Sequence, residues 1–358
     1  MSAVAPIGQA SARVIDPDRI PAPLFGAHVN LLGWDNGVGL SRDLRLLNEV
    51  LSQAGCRVTM TLFKRSRARP FGRSHVMQAR RVLHWMQNKV PSPQFDINIM
   101  VEHLRPDYMR LARRNVFIPN PEWFPRRRLP QLHGVDTVLC KTKHAQSIFS
   151  DLGCETALIG FTNAERLRRH IIRQRAFFHL GGRSRMKGTE RLLALWERHP
   201  EWPRLTVVQH PDIAARVSTA TNINHVVSYI DEEDLVQMQN EHIFHLCPSE
   251  TEGFGHYLCE ALCVGAVTMT LNAAPMNEFV SADRGILIDH QGTGSQGLAT
   301  TYYFDEAAME RAVERAIAMS DTEIQAVGSN ARAWYRANDH RFRVTLPAII
   351  GDACNLRA

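Results

Sequence analysis

The sequence predicts an α/β protein of two domains in series, each a doubly wound parallel sheet. Three observations predict it. Apolar runs of strand length alternate with helix-length periodic segments, as in parallel sheets covered on both faces. The alternation stops once, at the polar and basic segment 163–175, and then begins again. The 358 residues are 44% apolar, enough for two cores of ordinary size.

Residues 1–23 are rich in Ala and Pro and read as a loose lead-in. A first domain is expected over 24–170, with strands at 25–32, 57–63, 96–102, 115–119, 137–141 and 156–161, where the apolar runs have strand length. Its helices fit 40–54, 76–88 and 143–152, where apolar residues recur at helical spacing. Segment 163–175 suits a linker. A second domain is expected over 171–335, with strands at 177–180, 205–209, 225–229, 243–247, 267–270 and 285–288. Its helices fit 189–198, 231–240, 256–264, 305–319 and 322–337, leaving a tail at 336–358 too short for a third domain. In such folds ligands sit at the C-terminal ends of the strands, here in a central cleft that the two domains face.

Charged residues make up 22% of the chain, an ordinary globular composition. No apolar run reaches the roughly 18 residues of a membrane span, and no secretory signal is read at the N-terminus. The seven cysteines are an odd count without a Cys-x-x-Cys, which argues against a disulfide framework or a zinc site. Cys259 and Cys263 share a helix face and read as two buried small apolar residues. A reducing cytoplasm is the expected compartment.

The net charge of +6 conceals an asymmetry: residues 1–170 hold 25 basic against 13 acidic residues, the remainder 17 against 23. Between Val50 and Phe95 there are nine Lys or Arg and no Asp or Glu. Such a patch suits nucleic acid, an anionic membrane surface or a phosphorylated substrate, or is simply a solvated basic face. Within it, residues 74–88 place Val76, Met77, Val82, Leu83, Trp85 and Met86 among Arg80 and Arg81. That pattern fits a helix at an anionic bilayer surface, and equally one packed on its own sheet.

The densest motif runs from Ser249 to Gly265, after the strand at 243–247 and a turn at Pro248-Ser249. Gly253 and Gly255 let backbone approach an anion, and the helix that starts near His256 offers free N–H groups and a positive dipole end. Glu252 lies in the loop beside Phe254, and Glu260 follows eight residues later, so both carboxylates are expected to border one cleft and accept sugar or ribose hydroxyls. Earlier, Phe178-His179-Leu180-Gly181-Gly182 runs into a turn flanked by Arg183 and Lys187, before a helix near Thr189. A guanidinium fork and an ammonium together suit a diphosphate leaving group. Tyr229-Ile230 ends another strand, where Tyr229 is expected to pack.

These residues resemble the donor site of GT-B glycosyltransferases, especially family 4. Glu252-Gly253-Phe254-Gly255 and Glu260-Ala261-Leu262 match its Glu-x7-Glu signature. Gly181-Gly182-Arg183 and Lys187-Gly188 match the Gly-Arg…Lys-Gly element that precedes it, although family members often have one more residue between the cations. The resemblance implies a GT-B fold of two Rossmann-like domains and a nucleotide-sugar donor. It puts Glu252 on the transferred sugar, Glu260 on the nucleotide ribose, and Arg183 and Lys187 on the departing diphosphate. Tyr229 then lies near the base.

In the first half, Gly37-Val38-Gly39 resembles the glycine-rich first loop of the same enzymes; no Gly-x-Gly-x-x-Gly is present. Asp35, Glu102, His103 and Glu122 are candidate bases for an acceptor hydroxyl, needed if the anomeric centre is inverted and dispensable if it is retained. His28 reads as a satisfied core histidine. Asp16-Pro17-Asp18 is formally a metal motif but lies in the lead-in, so no metal and no cofactor are expected.

The most specific expectation is a mannosyltransferase similar to the xanthan-type enzymes of bacterial exopolysaccharide synthesis. It would use GDP-mannose and a polyprenyl-diphosphate-linked saccharide, and be peripheral at the inner face of the cytoplasmic membrane. A UDP-sugar enzyme with another acceptor, a non-catalytic scaffold and a nucleic-acid-binding protein are the rivals. Against the last, the basic stretch lacks interleaved stacking aromatics, so no nucleic acid is expected.

Overall fold

The computed structural model describes residues 24, 26–35, 37, 39–63 and 93–355. The chain divides into two compact units, one reaching Gly160 and including the residues from Arg341 onward, the other Phe161–His340.

In the first unit six parallel strands form one sheet: β1 His28–Trp34, β2 Arg57–Phe63, β3 Phe95–Val101, β4 Ala112–Ile118, β5 Thr137–Cys140 and β6 Thr156–Leu158. Their order is β2-β1-β3-β4-β5-β6. Consecutive residues of β1 and β3 are buried, Val29, Asn30 and Leu31 opposite Ile97, Asn98 and Ile99. Burial on both faces is why these strands read as continuous apolar runs and not as alternating ones. Helix α1, Gly39–Gln53, turns Leu40, Leu44, Leu47 and Leu51 inward, and α2, Lys143–Asp151, is capped by the Thr142 side chain on Ala145 N at 3.1 Å. His28 is satisfied as expected: its Nε2 lies 2.9 Å from Thr59 Oγ1 and its ring meets Phe95 edge-on.

The second unit repeats the plan with β7 Gln174–Gly182, β8 Leu205–Gln209, β9 Ile223–Val227, β10 His242–Cys247, β11 Val267–Leu271 and β12 Gly285–Ile288, in the order β12-β11-β10-β7-β8-β9. Its helices are α3 Thr189–Glu197, α4 Glu232–Glu241, α5 His256–Cys263, α6 Met276–Phe279 and α7 Glu306–Ala318. Cys259 and Cys263 on α5 are buried free thiols, as read from the sequence, and burial pushes the Cys263 thiol up to about 11.

Three features depart from expectation. The segment expected as a linker, 163–175, is exposed over most of its length, but its start is anchored. Phe161, Thr162, Asn163 and Arg166 are buried in the second unit, and the Phe161 and Asn163 carbonyls accept bonds from Asn338 Nδ2 and Tyr335 Oη at 2.6 and 2.8 Å. Helix α8 continues over Asp321–Asn355 and belongs to both units, because Asn338, Phe342, Leu346, Ile349 and Ile350 extend its buried stripe at helical spacing. An antiparallel hairpin, β13 His290–Gln296 with β14 Ala299–Phe304, lies outside the main sheets. The glycine-rich β13 carries no apolar alternation, so only its pairing with β14 makes it a strand. Among the described residues, no helix is long and apolar enough to cross a membrane.

Two buried histidines tie the second sheet together. His179 on β7 places Nδ1 2.8 Å from Leu246 O of β10 and Nε2 2.8 Å from Thr189 Oγ1 at the start of α3. His245 places Nε2 3.0 Å from Gln239 O. Burial lowers them to about 4 and about 3. With folded values below the unfolded one, the unfolded chain binds more protons in the interval between, so this stability is full above about pH 6.5 and is lost as pH falls. Between pH 7 and pH 5 each ring is expected to cost about 2 kcal/mol of folding stability. Urea unfolding of wild type and His245→Gln at the two pH values checks it: the variant should lose less on acidification.

Candidate functional site

In a doubly wound sheet the ligand crevice opens where neighbouring strands send their connections to opposite faces. In the second unit that point lies between β7 and β10. Strand β7 ends at Gly181-Gly182 and passes through a short 3-10 turn, Arg185–Lys187, into α3. Strand β10 ends at Cys247 and passes through residues 248–255 into α5. The two loops are bonded, Glu250 N donating to Met186 O at 2.8 Å. Gly188 and Gly255 are the N-caps of α3 and α5, both in left-handed backbone at φ 67° and 84°. A Cβ at Gly188 would lie 2.9 Å from the Pro248 carbonyl oxygen, so only glycine allows this approach. Neither helix has a side-chain cap. Both leave first-turn N–H groups for an anion.

Lys187 and Glu252, 65 residues apart, meet here: Nζ donates to Oε1 at 2.5 Å, and each side chain is 14% exposed. Nζ also stands 3.3 Å from the Tyr257 ring centroid, a cation–π contact. Ser249 donates to the same Glu252 oxygen at 2.5 Å and contacts the Tyr257 hydroxyl. The Thr251 hydroxyl is buried in this loop without a hydrogen-bond partner. A half-buried ammonium and carboxylate beside two uncapped helix N-termini can receive a diphosphate on the cation and a hydroxyl on the carboxylate.

The other residues of this motif stand elsewhere. Arg183 pairs with Asp212 beyond β8, Nη2 to Oδ2 at 2.6 Å, with both side chains more than half exposed. Gly253 is buried, and Phe254 packs against Phe161 and Phe279 at 5.1 and 5.4 Å between centroids, a core contact. The two glutamates do not border one crevice in the way their spacing suggests. Glu260 is 1% exposed, with Oε1 3.1 Å from Arg166 Nη2 and Oε2 accepting from Gln239 Nε2 at 2.8 Å. Arg166, itself 3% exposed, also binds Glu232 and Gln239. The helix turns Glu260 toward the interior, and the segment that reads as a linker supplies its cation. Tyr229, expected to pack, is 80% exposed.

In the first unit the order reverses between β1 and β3, and the candidate bases follow the C-terminal ends of β1, β3 and β4. Asp35 follows β1 and accepts from Ser41 Oγ at 2.7 Å; Gly37, at φ 74°, donates its N–H to the same hydroxyl at 2.8 Å, and Gly39 begins α1. Glu102 follows β3 as the centre of a γ-turn, His103 N donating to Val101 O at 2.7 Å, and its φ is 64°. A non-glycine residue held there costs on the order of 1–3 kcal/mol. The turn brings consecutive side chains together, Glu102 Oε1 lying 3.4 Å from His103 Nδ1. The His103 ring also faces Trp34 at 6.1 Å. Burial lowers the proton affinity of His103, Glu102 raises it and Arg128 lowers it, with a net fall. Glu122 is buried in the turn after β4, which leaves Trp123 exposed. Asn120, two residues before Glu122 and not singled out by sequence reasoning, donates Nδ2–H to Glu102 Oε2 at 2.7 Å.

The basic residues from Lys64 to Lys89, the helix expected at 76–88 and Asp16-Pro17-Asp18 lie outside the described residues. Among those described, no cluster of three or more His, Cys, Asp or Glu is placed to hold a metal ion.

No protein-family model matches the sequence, and no curated protein matches it by sequence. Solved structures do match in three dimensions. One described as trehalose-6-phosphate from E. coli bound with UDP-2-fluoro glucose superposes with a TM-score of 0.67 at 12% identity, over 92% of this chain and 99% of the other. A glycosyltransferase from Rickettsia africae gives 0.64 at 10% identity, over 93% and 99%. Anabaena HepE in complex with UDP and glucose gives 0.61 at 14% identity, over 90% and 98%.

Proposed function

We propose that this chain, two Rossmann-like doubly wound units of the GT-B fold, is a glycosyltransferase that moves a hexose from a nucleotide-sugar donor. The observation that carries the reading is the meeting of Lys187 with Glu252 at the β7/β10 switch point, between two uncapped helix N-termini. Paired at 2.5 Å, the two groups neutralise each other. A donor diphosphate draws Lys187 and the helix N-termini to its charge, which grows as the nucleotide leaves. Glu252 is then released to accept from sugar hydroxyls. Arg183 adds a second cation to the diphosphate once it leaves Asp212, an exposed pair that costs little to break. Glu260 ties α5 to α4 through Arg166 and Gln239, and contact with a ribose requires it to leave that cation. Glu102 and His103 serve the acceptor hydroxyl.

Likeness to chains bound to UDP-glucose analogues and to UDP with glucose supports a UDP-hexose donor. The basic first half favours a second reading, GDP-mannose with a polyprenyl-diphosphate-linked acceptor at an anionic membrane surface. One panel decides. Purified protein is given UDP-glucose, UDP-galactose, GDP-mannose and GDP-glucose, each with glucose 6-phosphate, fructose 6-phosphate or an undecaprenyl-diphosphate-linked hexose, and nucleoside diphosphate release and product mass are recorded. Transfer from one donor class is the expected result. Neither binding nor turnover of any donor would remove the reading.

A further inference from the structure

We propose that Asp43, Lys141 and Asn120 form a buried positioning relay that holds Glu102 against the ring of His103, and so aligns the acceptor side of the transfer proposed above, on which this inference rests. These three residues and Glu102 come from four places around the switch point of the first sheet: the first turns of α1, and the ends of β5, β4 and β3. Lys141 Nζ donates to Asp43 Oδ2 at 2.5 Å and to Asn120 Oδ1 at 3.1 Å. Asn120 Nδ2 then donates to Glu102 Oε2. An ammonium only donates, so Lys141 fixes the carbonyl end of the Asn120 amide toward itself and the N–H end toward Glu102. The direction of the chain is therefore set by charge. At its far end the second Glu102 oxygen lies 3.4 Å from His103 Nδ1, a buried atom that has no other polar partner among the described residues. A proton on Nδ1 shared with Glu102 leaves Nε2 with its lone pair for a hydroxyl proton, the division of labour seen in carboxylate–imidazole pairs.

Two features mark the relay as more than packing. Lys141 and Asp43 are 1% and 3% exposed, and a buried ion pair is no more stabilising than well-packed apolar residues of the same volume. The carboxylate it reaches sits on strained, positive-φ backbone. A site shaped for stability alone would keep neither, and both occur in one hydrogen-bonded chain at the ligand-binding edge of the sheet.

The test compares Asn120→Asp, Glu102→Gln and the double variant Lys141→Met with Asp43→Asn, which removes both buried charges at similar volume, with urea unfolding to check that each variant is folded. Donor affinity is measured by titration calorimetry with the free nucleotide, UDP or GDP, of the donor that turns over in the panel. Steady-state turnover is followed from pH 5 to 9. The relay predicts unchanged nucleotide affinity and a kcat lowered roughly 10²-fold in Asn120→Asp and the double variant, the scale of an ångström misplacement. Glu102→Gln is expected to move the acid limb of kcat/KM to lower pH, since it removes the negative charge that opposes burial and Arg128 at His103. Wild-type kcat in Asn120→Asp and the double variant, or an unmoved acid limb in Glu102→Gln, overturns the relay. Absence of transfer by the wild-type protein overturns the preceding proposal instead, which keeps the two failures apart.

Discussion

Lys187→Ala is expected to lower kcat by roughly 10²-fold or more, the usual scale for one preorganised charge stabiliser. The cation lies at the switch point, and the charge it meets grows as the nucleotide departs, so the loss falls mainly on kcat and less on donor KM. The change removes one partner of the pair with Glu252, yet that carboxylate keeps its bond from Ser249 and is partly solvated. The melting temperature should therefore move little. Lys187→Arg keeps the charge but changes its reach and its seat over Tyr257, and is expected to fall between the two. Full kcat in Lys187→Ala would make it an ordinary surface cation and empty the proposed donor site of its main charge.

Arg166→Ala is expected to have the largest effect on stability, about 3–5 kcal/mol, because it strands the buried Glu260 carboxylate without its cation. Urea unfolding should show a lower midpoint at unchanged slope. Glu260→Gln, which removes the charge and keeps an acceptor for Gln239, is expected to cost less, and Arg166→Met combined with Glu260→Gln to recover part of the loss. The same variants read the function of Glu260. Donor KM in Glu260→Gln should stay within about threefold of wild type if the carboxylate remains inside. A tenfold rise, with the fold intact, would place it on the nucleotide.

The legible part of the molecule follows from periodicity. Strands β2, β8 and β12 lie at the predicted residues, and the other main-sheet strands within a few: β8 is buried at every position, whereas β2, at the sheet edge, shows instead the alternation of a half-buried strand. The Lys187–Gly188 turn and the Glu252–Gly255 loop were legible because each turns on a glycine in left-handed backbone, which restricts residue type. Elsewhere local pattern failed. Arg166 sits in a polar, basic segment, and nothing near it in sequence announces a buried carboxylate 94 residues on. Tyr229 continues an apolar run yet points to solvent. Asn120, Lys141 and Asp43 are each unremarkable where they stand.

From the sequence alone come the two doubly wound domains, the order of their strands along the chain and the glycine-bearing loops after β7 and β10, because each rests on neighbouring residues whose spacing constrains the backbone. The tertiary structure decided which charges meet. It paired Lys187 with Glu252, turned Arg183 to Asp212, enclosed Glu260 with Arg166, and linked Glu102 to Lys141 through Asn120. An ion pair is a statement about distance in space, and these partners lie 18 to 94 residues apart along the chain, so only the packing of strands and helices could select them.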